Sequence, residues 1–346
     1  MVTLQTIRKS NARIAELPEG LVALFLGATS GIGQSTLLQF AQHAVRPHIY
    51  IVARRTSAPA TKGLLQRLQA TNPDATYTII EKDVSLIRET NDVVDFLKAR
   101  ETKLDLLFES VGFISFTGRQ ETIEGLEPSM TTRYYSRLRA AQGLVPLLNA
   151  APNPRVVSIL AGGQEGKINE TDLDLRKPGN YSIAGAAIHS ATMLTLSLEH
   201  LARENPRISF VHAFPGWVAT PILSRGSKGL LRLLMTWVVQ PLVALFATSA
   251  EEAGARALFY STSDRYSVSD NGMVPLVEGI EKSPKTQGGI FLSNDKSESV
   301  NNEKLLADFR ARRVDEKVWR HTMEIFDACA TNAPSQATKS SQRSQT

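Results

Sequence analysis

The stretch Leu21-Val22-Ala23-Leu24-Phe25-Leu26-Gly27-Ala28-Thr29-Ser30-Gly31-Ile32-Gly33-Gln34 decides the fold. Leu21 to Leu26 form an apolar run of the right length for a strand buried on both faces. The run enters three glycines, Gly27, Gly31 and Gly33, spaced G-x3-G-x-G, and a helical pattern follows over Ser35 to Ala44. Glycine lets the backbone turn sharply and approach a bulky group closely. The helix behind it offers unpaired N–H groups and a positive dipole end. Strand, glycine turn and helix N-terminus in this order predict a pyrophosphate cradle built from Gly27, Thr29, Ser30, Gly31, Ile32 and Gly33. A glycine turn with no ligand is the alternative for such a triplet alone; the strand before it and the helix after it argue against that.

Working outward, Pro47 to Ala53 reads as a second buried strand, and it ends at Arg54-Arg55. In a dinucleotide fold the end of this strand meets the adenosine ribose. An acidic residue there suits the 2′-hydroxyl of NAD, whereas arginine suits the 2′-phosphate of NADP. Arg54 and Arg55 therefore point to NADP, with a pair of solvated arginines as the alternative. A helix interrupted by Gly63 is predicted over Ala58 to Ala70. Less buried, alternating Ala75 to Glu81 is a third strand. Asp83 or Ser85 could cap the helix that follows and runs to Ala99. Leu104 to Gly112 is a fourth strand with its loop, Leu126 to Leu148 a long helix, and Pro154 to Gly163 a fifth strand with its loop. A helix opening around Tyr181 runs towards Glu204. Its small and apolar residues suit close packing and a homodimer face. Arg207 to Phe214 is a sixth strand, Ala250 to Tyr260 a helix, and Gly272 to Val277 a last strand. Asn301 to Ala328 reads as a charged outer helix.

The sum is an α/β protein with a doubly wound parallel sheet of about seven strands. Its expected parts are an N-terminal arm over 1–20, a dinucleotide-binding domain over 21–280 with a lid over 222–248, a helical extension over 281–330 and a disordered tail over 331–346. The tail is rich in Ser, Gln and Thr.

Composition agrees. The 346 residues are 42% hydrophobic and 21% charged, ordinary for a globular chain with a sizeable core. A net charge of +5 fits an anionic cofactor, while no basic run with interleaved aromatics points to nucleic acid. One cysteine, Cys329, excludes a disulfide framework within the chain. The first twenty residues lack the apolar core of a secretory signal, so a cytoplasmic location is expected. Residues 230–247 are strongly apolar but interrupted by Arg232, Gln240 and Pro241, which argues against a membrane span. An apolar lid there implies an apolar substrate, or peripheral contact with a membrane surface. Plain packing of a peripheral helix pair is the alternative.

Residues Gly27 to Gly33 resemble the nucleotide-binding signature of the short-chain dehydrogenase/reductase family, with Leu26 where that family usually has Thr. Ala53-Arg54-Arg55 is similar to NADP-dependent members, and Pro215-Gly216-Trp217-Val218-Ala219-Thr220 is similar to the family's Pro-Gly-x-Val-x-Thr. The resemblance implies adenine contacts for Asp83 and Val84, backbone approach to the cofactor at Gly112, and nicotinamide-side contacts for Val218 and Thr220. It also implies hydride transfer assisted by a Tyr, a Lys four residues later, a Ser and an Asn. Tyr181 matches the Tyr and is the catalytic candidate, but Gly185 stands for the Lys, Ala161 for the Ser and Arg133 for the Asn. Only Gly112 survives of Asn-Asn-Ala-Gly, so side-chain support for the central sheet is expected to be lost. A tyrosine without a cationic neighbour should stay near ~10, poorly matched to proton transfer at neutral pH. His189, Glu165, Lys167 and Arg133 are possible substitutes that the sequence does not choose between.

Two readings follow. One is an NADP(H)-dependent oxidoreductase acting on an apolar ketone, alcohol or enone, similar to divergent fungal reductases of specialised metabolism. The other is a protein of the same fold that has lost redox chemistry and serves as an isomerase, a cyclase or a nucleotide-gated binding protein.

Overall fold

The structure is a computed structural model that describes residues 1–116, 118–219, 247–269 and 272–331. Thr220, the expected lid except residues 247 and 248, and the tail beyond residue 331 lie outside the described residues.

Seven parallel strands form one sheet: β1 (Val22–Leu26), β2 (His48–Ala53), β3 (Thr76–Glu81), β4 (Leu106–Glu109), β5 (Arg155–Ile159), β6 (Ser209–Ala213) and β7 (Phe291–Ser293). Their order is β3-β2-β1-β4-β5-β6-β7, so the winding reverses between β1 and β4. The helices described are α1 (Leu4–Ala12), α2 (Gly31–His43), α3 (Ala58–Thr71), α4 (Ile87–Lys98), the single turn α5 (Pro128–Met130), α6 (Ser136–Gly143), α7 (Val145–Ala150), α8 (Ile183–Glu204), α9 (Ala250–Thr262), α10 (Glu303–Ala311) and α11 (Val314–Thr331). None is long and apolar enough to cross a membrane.

Strand alternation divides the core between the two faces of the sheet. Leu24 and Leu26 join one cluster, with Met193, Leu196 and Leu201 of α8; Ala23 and Phe25 join the other, with Leu37 of α2 and Leu258 of α9. This double burial explains the continuous apolar reading of β1.

Several expectations are corrected. The seventh strand is β7, not 272–277; Val274 makes only an isolated bridge to Ser263. The sheet therefore takes in residues beyond 280. Helix α3 runs unbroken through Gly63, where nothing crowds an added Cβ. The long helix expected over 126–148 is segmented: α5, a π-helical turn over Thr131–Tyr135, α6 and, beyond Leu144, α7. The N-terminal arm is helix α1, docked on α9 by the buried Ile7 and by Asn11, whose Nδ2 donates to the Ala255 carbonyl at 2.9 Å.

The outer charged helix is two helices, and α11 is amphipathic. It buries Val318, Thr322 and Phe326 against the domain. Trp319 stacks on His200 with ring centroids 3.9 Å apart, and Arg203 pairs with Asp315 at 3.0 Å. Tyr134 lies within hydrogen-bond distance of Ser197 at 2.8 Å and of Thr322 at 2.6 Å. The C-terminal helix thus packs on α8 around Ser197, His200 and Arg203, while Ile183 and Ile188 near the start of α8 stay exposed.

Candidate functional site

A cleft of about 730 Å³ opens at the C-terminal edge of the sheet, across the point where the strand order reverses. Such a crevice is where open α/β sheets bind ligands. Gly27, Thr29, Ser30, Gly31, Ile32 and Gly33 line one part of it. Gly27 leaves β1 with φ +94°, and a Cβ there would lie 2.5 Å from the Val111 Cα. A Cβ on Gly33 would lie 2.6 Å from the Gly27 carbonyl oxygen and would also strike the Ser110 hydroxyl. The cradle therefore requires glycine at both positions. Helix α2 begins at Gly31, and the N-cap Ser30 makes no side-chain cap bond. The N–H groups of its first turn thus lack the usual side-chain acceptor, an arrangement suited to an anion. These features fit the pyrophosphate of a dinucleotide.

The adenosine end follows along β2 and β3. Arg54, Asp83 and Val84 line the cleft. Arg55 does not: its exposed side chain turns to Glu81 at 3.7 Å. Only one arginine of the expected pair thus faces the site. The Asp83 carboxylate accepts from the Ser85 N–H at 3.0 Å, closing a local turn. Neither Asp83 nor Ser85 caps α4. Glu124, from a distant loop, accepts from the N–H groups of Ile87 at 2.6 Å and Arg88 at 3.0 Å.

At the other end the cleft is walled by Gly112, Thr132, Arg133, Leu160 and Pro215. Val218 is not a wall residue and instead bridges to Thr248. Tyr181 is also absent from the wall. It precedes α8, whose N-cap is Ser182, with Oγ accepting from the Gly185 N–H at 3.0 Å. Tyr181 therefore lies outside the helix that carries Gly185 and His189. Its phenol sits beside Ser129, Glu127 and Arg133. Burial raises its pKa, against the opposing pulls of Ser129 and Arg133. His189 faces the core, its Nε2 accepting from the Asn169 N–H at 2.8 Å, and burial lowers its pKa.

Comparison with known proteins now decides the family. Residues 21–229 match the family described as short chain dehydrogenase. The chain belongs to that family. It is 51% identical over 330 residues, 95% of this chain and 96% of the relative, to the NmrA-like family domain-containing oxidoreductase notO of Aspergillus sp. (strain MF297-2). It is 29% identical to the short-chain dehydrogenase/reductase SAT2 of Stachybotrys chartarum, covering 95% of this chain and 98% of that one. Among solved structures, a short-chain dehydrogenase from Shigella flexneri complexed with NADP superposes with a TM-score of 0.52 at 13% identity, covering 73% of this chain and 95% of that one. At that identity the likeness speaks for the fold alone.

Beneath the site the chain carries a buried polar row that the sequence reading missed. Glu109 ends β4, and it stands in register with Ser158 and His212, each one residue before the end of β5 and β6. Glu109 hydrogen-bonds Ser158, and burial pushes its carboxyl up to about 8 despite the pulls of Arg137 and Ser158. His212 is pushed down to about 3 by burial and by Arg137, so its imidazole is neutral. Its Nε2 accepts from the Ala161 N–H at 3.1 Å, which leaves Nδ1 to donate to the Thr195 hydroxyl at 2.8 Å. Thr195 in turn donates to Glu165 at 2.7 Å, and Glu165 accepts from the Gly163 N–H at 3.0 Å and from Asn302 at 2.9 Å. Glu165 is therefore structural. The chain of bonds holds the loop after β5, where Ala161 replaces the family's serine.

Arg137 adds the support that the lost Asn-Asn-Ala pattern seemed to remove. Its buried guanidinium donates to the carbonyls of Glu109 at 3.1 Å, Ile159 at 3.0 Å and Thr132 at 3.2 Å, and to that of Val111. It thus ties the ends of β4 and β5 to the helical turn that carries Arg133. The available sequence signal was a polar residue at or next to the C-terminal end of each of three largely apolar strands.

Proposed function

We propose that this protein is an NADP(H)-dependent oxidoreductase acting on an apolar ketone, alcohol or enone in fungal specialised metabolism. The carrying observation is the cleft: a cradle that requires glycine at 27 and 33, continuous with Arg54 at the end of β2. When bound, the nicotinamide supplies or takes up a hydride. Gly31 to Gly33 and the α2 N-terminus would hold the pyrophosphate, and Arg54 the 2′-phosphate. Gly112, which has room around it, would let the backbone approach the reacting end. The oxidoreductase names of the relatives and the NADP in the Shigella flexneri structure support the same reading.

Titration with NADPH and NADH, followed by nicotinamide fluorescence, tests it. NADPH should bind more tightly by about tenfold, the worth of one charge-assisted contact to phosphate. If neither nucleotide binds, the reading fails.

A second reading, isomerisation or cyclisation in the same cleft, is favoured by one observation. Tyr181 lies off its helix, and its pKa is raised rather than lowered. Product formed without consumption of NADPH would support it.

A further inference from the structure

Arg133 stands out among the buried cations. Its side chain is more than nine-tenths buried, and it walls the cleft beside Gly112, Leu160 and Pro215. Among the described residues it makes no hydrogen bond and no ion pair. Arg137, one turn on and more deeply buried, is bonded to four carbonyls. Arg155, also buried, donates to the carbonyls of Tyr260 at 2.8 Å and Ser263 at 3.2 Å. The nearest acid is already engaged: Glu127 accepts from the Met130 N–H and the Ser129 hydroxyl, each at 2.7 Å. A buried charge without a partner is costly, so its partner should be a ligand. The side chain is presented by the π-helical turn over Thr131–Tyr135, a feature often found at functional sites.

We propose that the Arg133 guanidinium seats the substrate oxygen that gains negative charge during reduction, the alkoxide oxygen of a ketone or the enolate oxygen of an enone. The inference rests on the oxidoreductase reading. The pyrophosphate belongs at Gly31 to Gly33, whereas Arg133 lies past Gly112 at the other end of the cleft. Hydride addition to a carbonyl carbon, or to the β-carbon of an enone, moves a bonding electron pair onto oxygen. That oxygen is held by the five-donor fork of arginine, and water in the cleft then delivers the proton that completes the alcohol or saturated ketone. NADPH is consumed as the hydride source, one per substrate. Arg133 would thus supply the positive charge that the family's lysine and serine no longer provide, since Gly185 and Ala161 stand in their places.

The test uses the full-length protein saturated with NADP⁺ and 2-naphthol as the probe. Naphtholate is a planar, delocalised oxyanion, and its absorbance separates it from the neutral phenol. In the wild type the bound probe should ionise at least one pH unit below the free probe, a preference of about tenfold or more for the anion. Arg133→Gln should abolish that displacement, and Arg133→Lys should keep part of it. NADPH affinity and thermal midpoint, measured alongside, report whether each variant is folded and loaded. A residue that only packs would move the midpoint and leave the probe's ionisation unchanged. Equal naphtholate stabilisation in wild type and Arg133→Gln overturns the assignment, as does a wild type that takes up no naphtholate while still binding NADPH. Failure of the wild type to bind NADPH would instead remove the oxidoreductase reading on which the assignment stands.

Discussion

Replacing Glu109 by Gln probes the buried polar row most sharply. Glu109 is fully buried, and its carboxyl rises from 4.5 to about 8 on folding. An acid with a higher pKa in the folded state holds its proton more tightly there. Its contribution to stability is complete below pH 4.5 and is lost as pH rises through about 8. Each pH unit within the window removes about 1.4 kcal/mol, and the whole window removes roughly 5 kcal/mol. His212 acts in the opposite sense. Its pKa falls from 6.5 to about 3 on folding, so its contribution is present above pH 6.5 and is lost as pH falls towards 3. Between pH 4.5 and 6.5 the two slopes oppose each other, and above 6.5 the Glu109 slope stands alone. Glu109→Gln keeps a partner for Ser158 but cannot ionise. Urea unfolding of both proteins, followed by far-ultraviolet circular dichroism at intervals from pH 4.5 to 8.5, isolates the effect. The wild-type-minus-variant unfolding free energy should fall by about 1.4 kcal/mol per pH unit. A level difference would refute the argument and would mean that Glu109 is already ionised in the native state, held there by Arg137.

Other outcomes follow from the same geometry. Gly33→Ala places a Cβ 2.6 Å from the Gly27 carbonyl and should weaken NADPH binding by about a hundredfold or more, on the scale of a few kcal/mol for overpacking, with the circular dichroism spectrum unchanged. Arg54→Ala should cost NADPH about tenfold in affinity and leave NADH unaffected, while Arg55→Ala, at an exposed side chain facing Glu81, should change neither; equal losses in the two variants would restore the arginine pair. Thr322→Val removes one of the two hydroxyl partners of Tyr134 and should cost about 1 kcal/mol in urea unfolding; no loss would mean that α11 is not held there.

The cradle was legible in the sequence because its parts are contiguous. Strand, glycines and helix start lie within Leu21 to Gln34, and local backbone rules govern all three. The family resemblance, and with it the parallel sheet, followed from that stretch and from Pro215-Gly216. The start of α8 was legible too. Ser182 is a good N-cap, and its place in the chain puts Tyr181 outside the helix.

What tertiary structure alone decided involves residues far apart in the chain. Glu109, Ser158 and His212 become neighbours only through strand register, and their protonation depends on burial that no local pattern reports. Arg133 and Arg137 read alike, as cations on one helical stretch. The fold gives one of them four carbonyls and leaves the other open to the cleft. Short β7 carries too few residues to announce itself, and α11 finds its place because α8 offers apolar surface over a hundred residues earlier. Covalent order fixes which backbone shapes are available, whereas pairing, burial and charge depend on which distant groups the folded chain brings together.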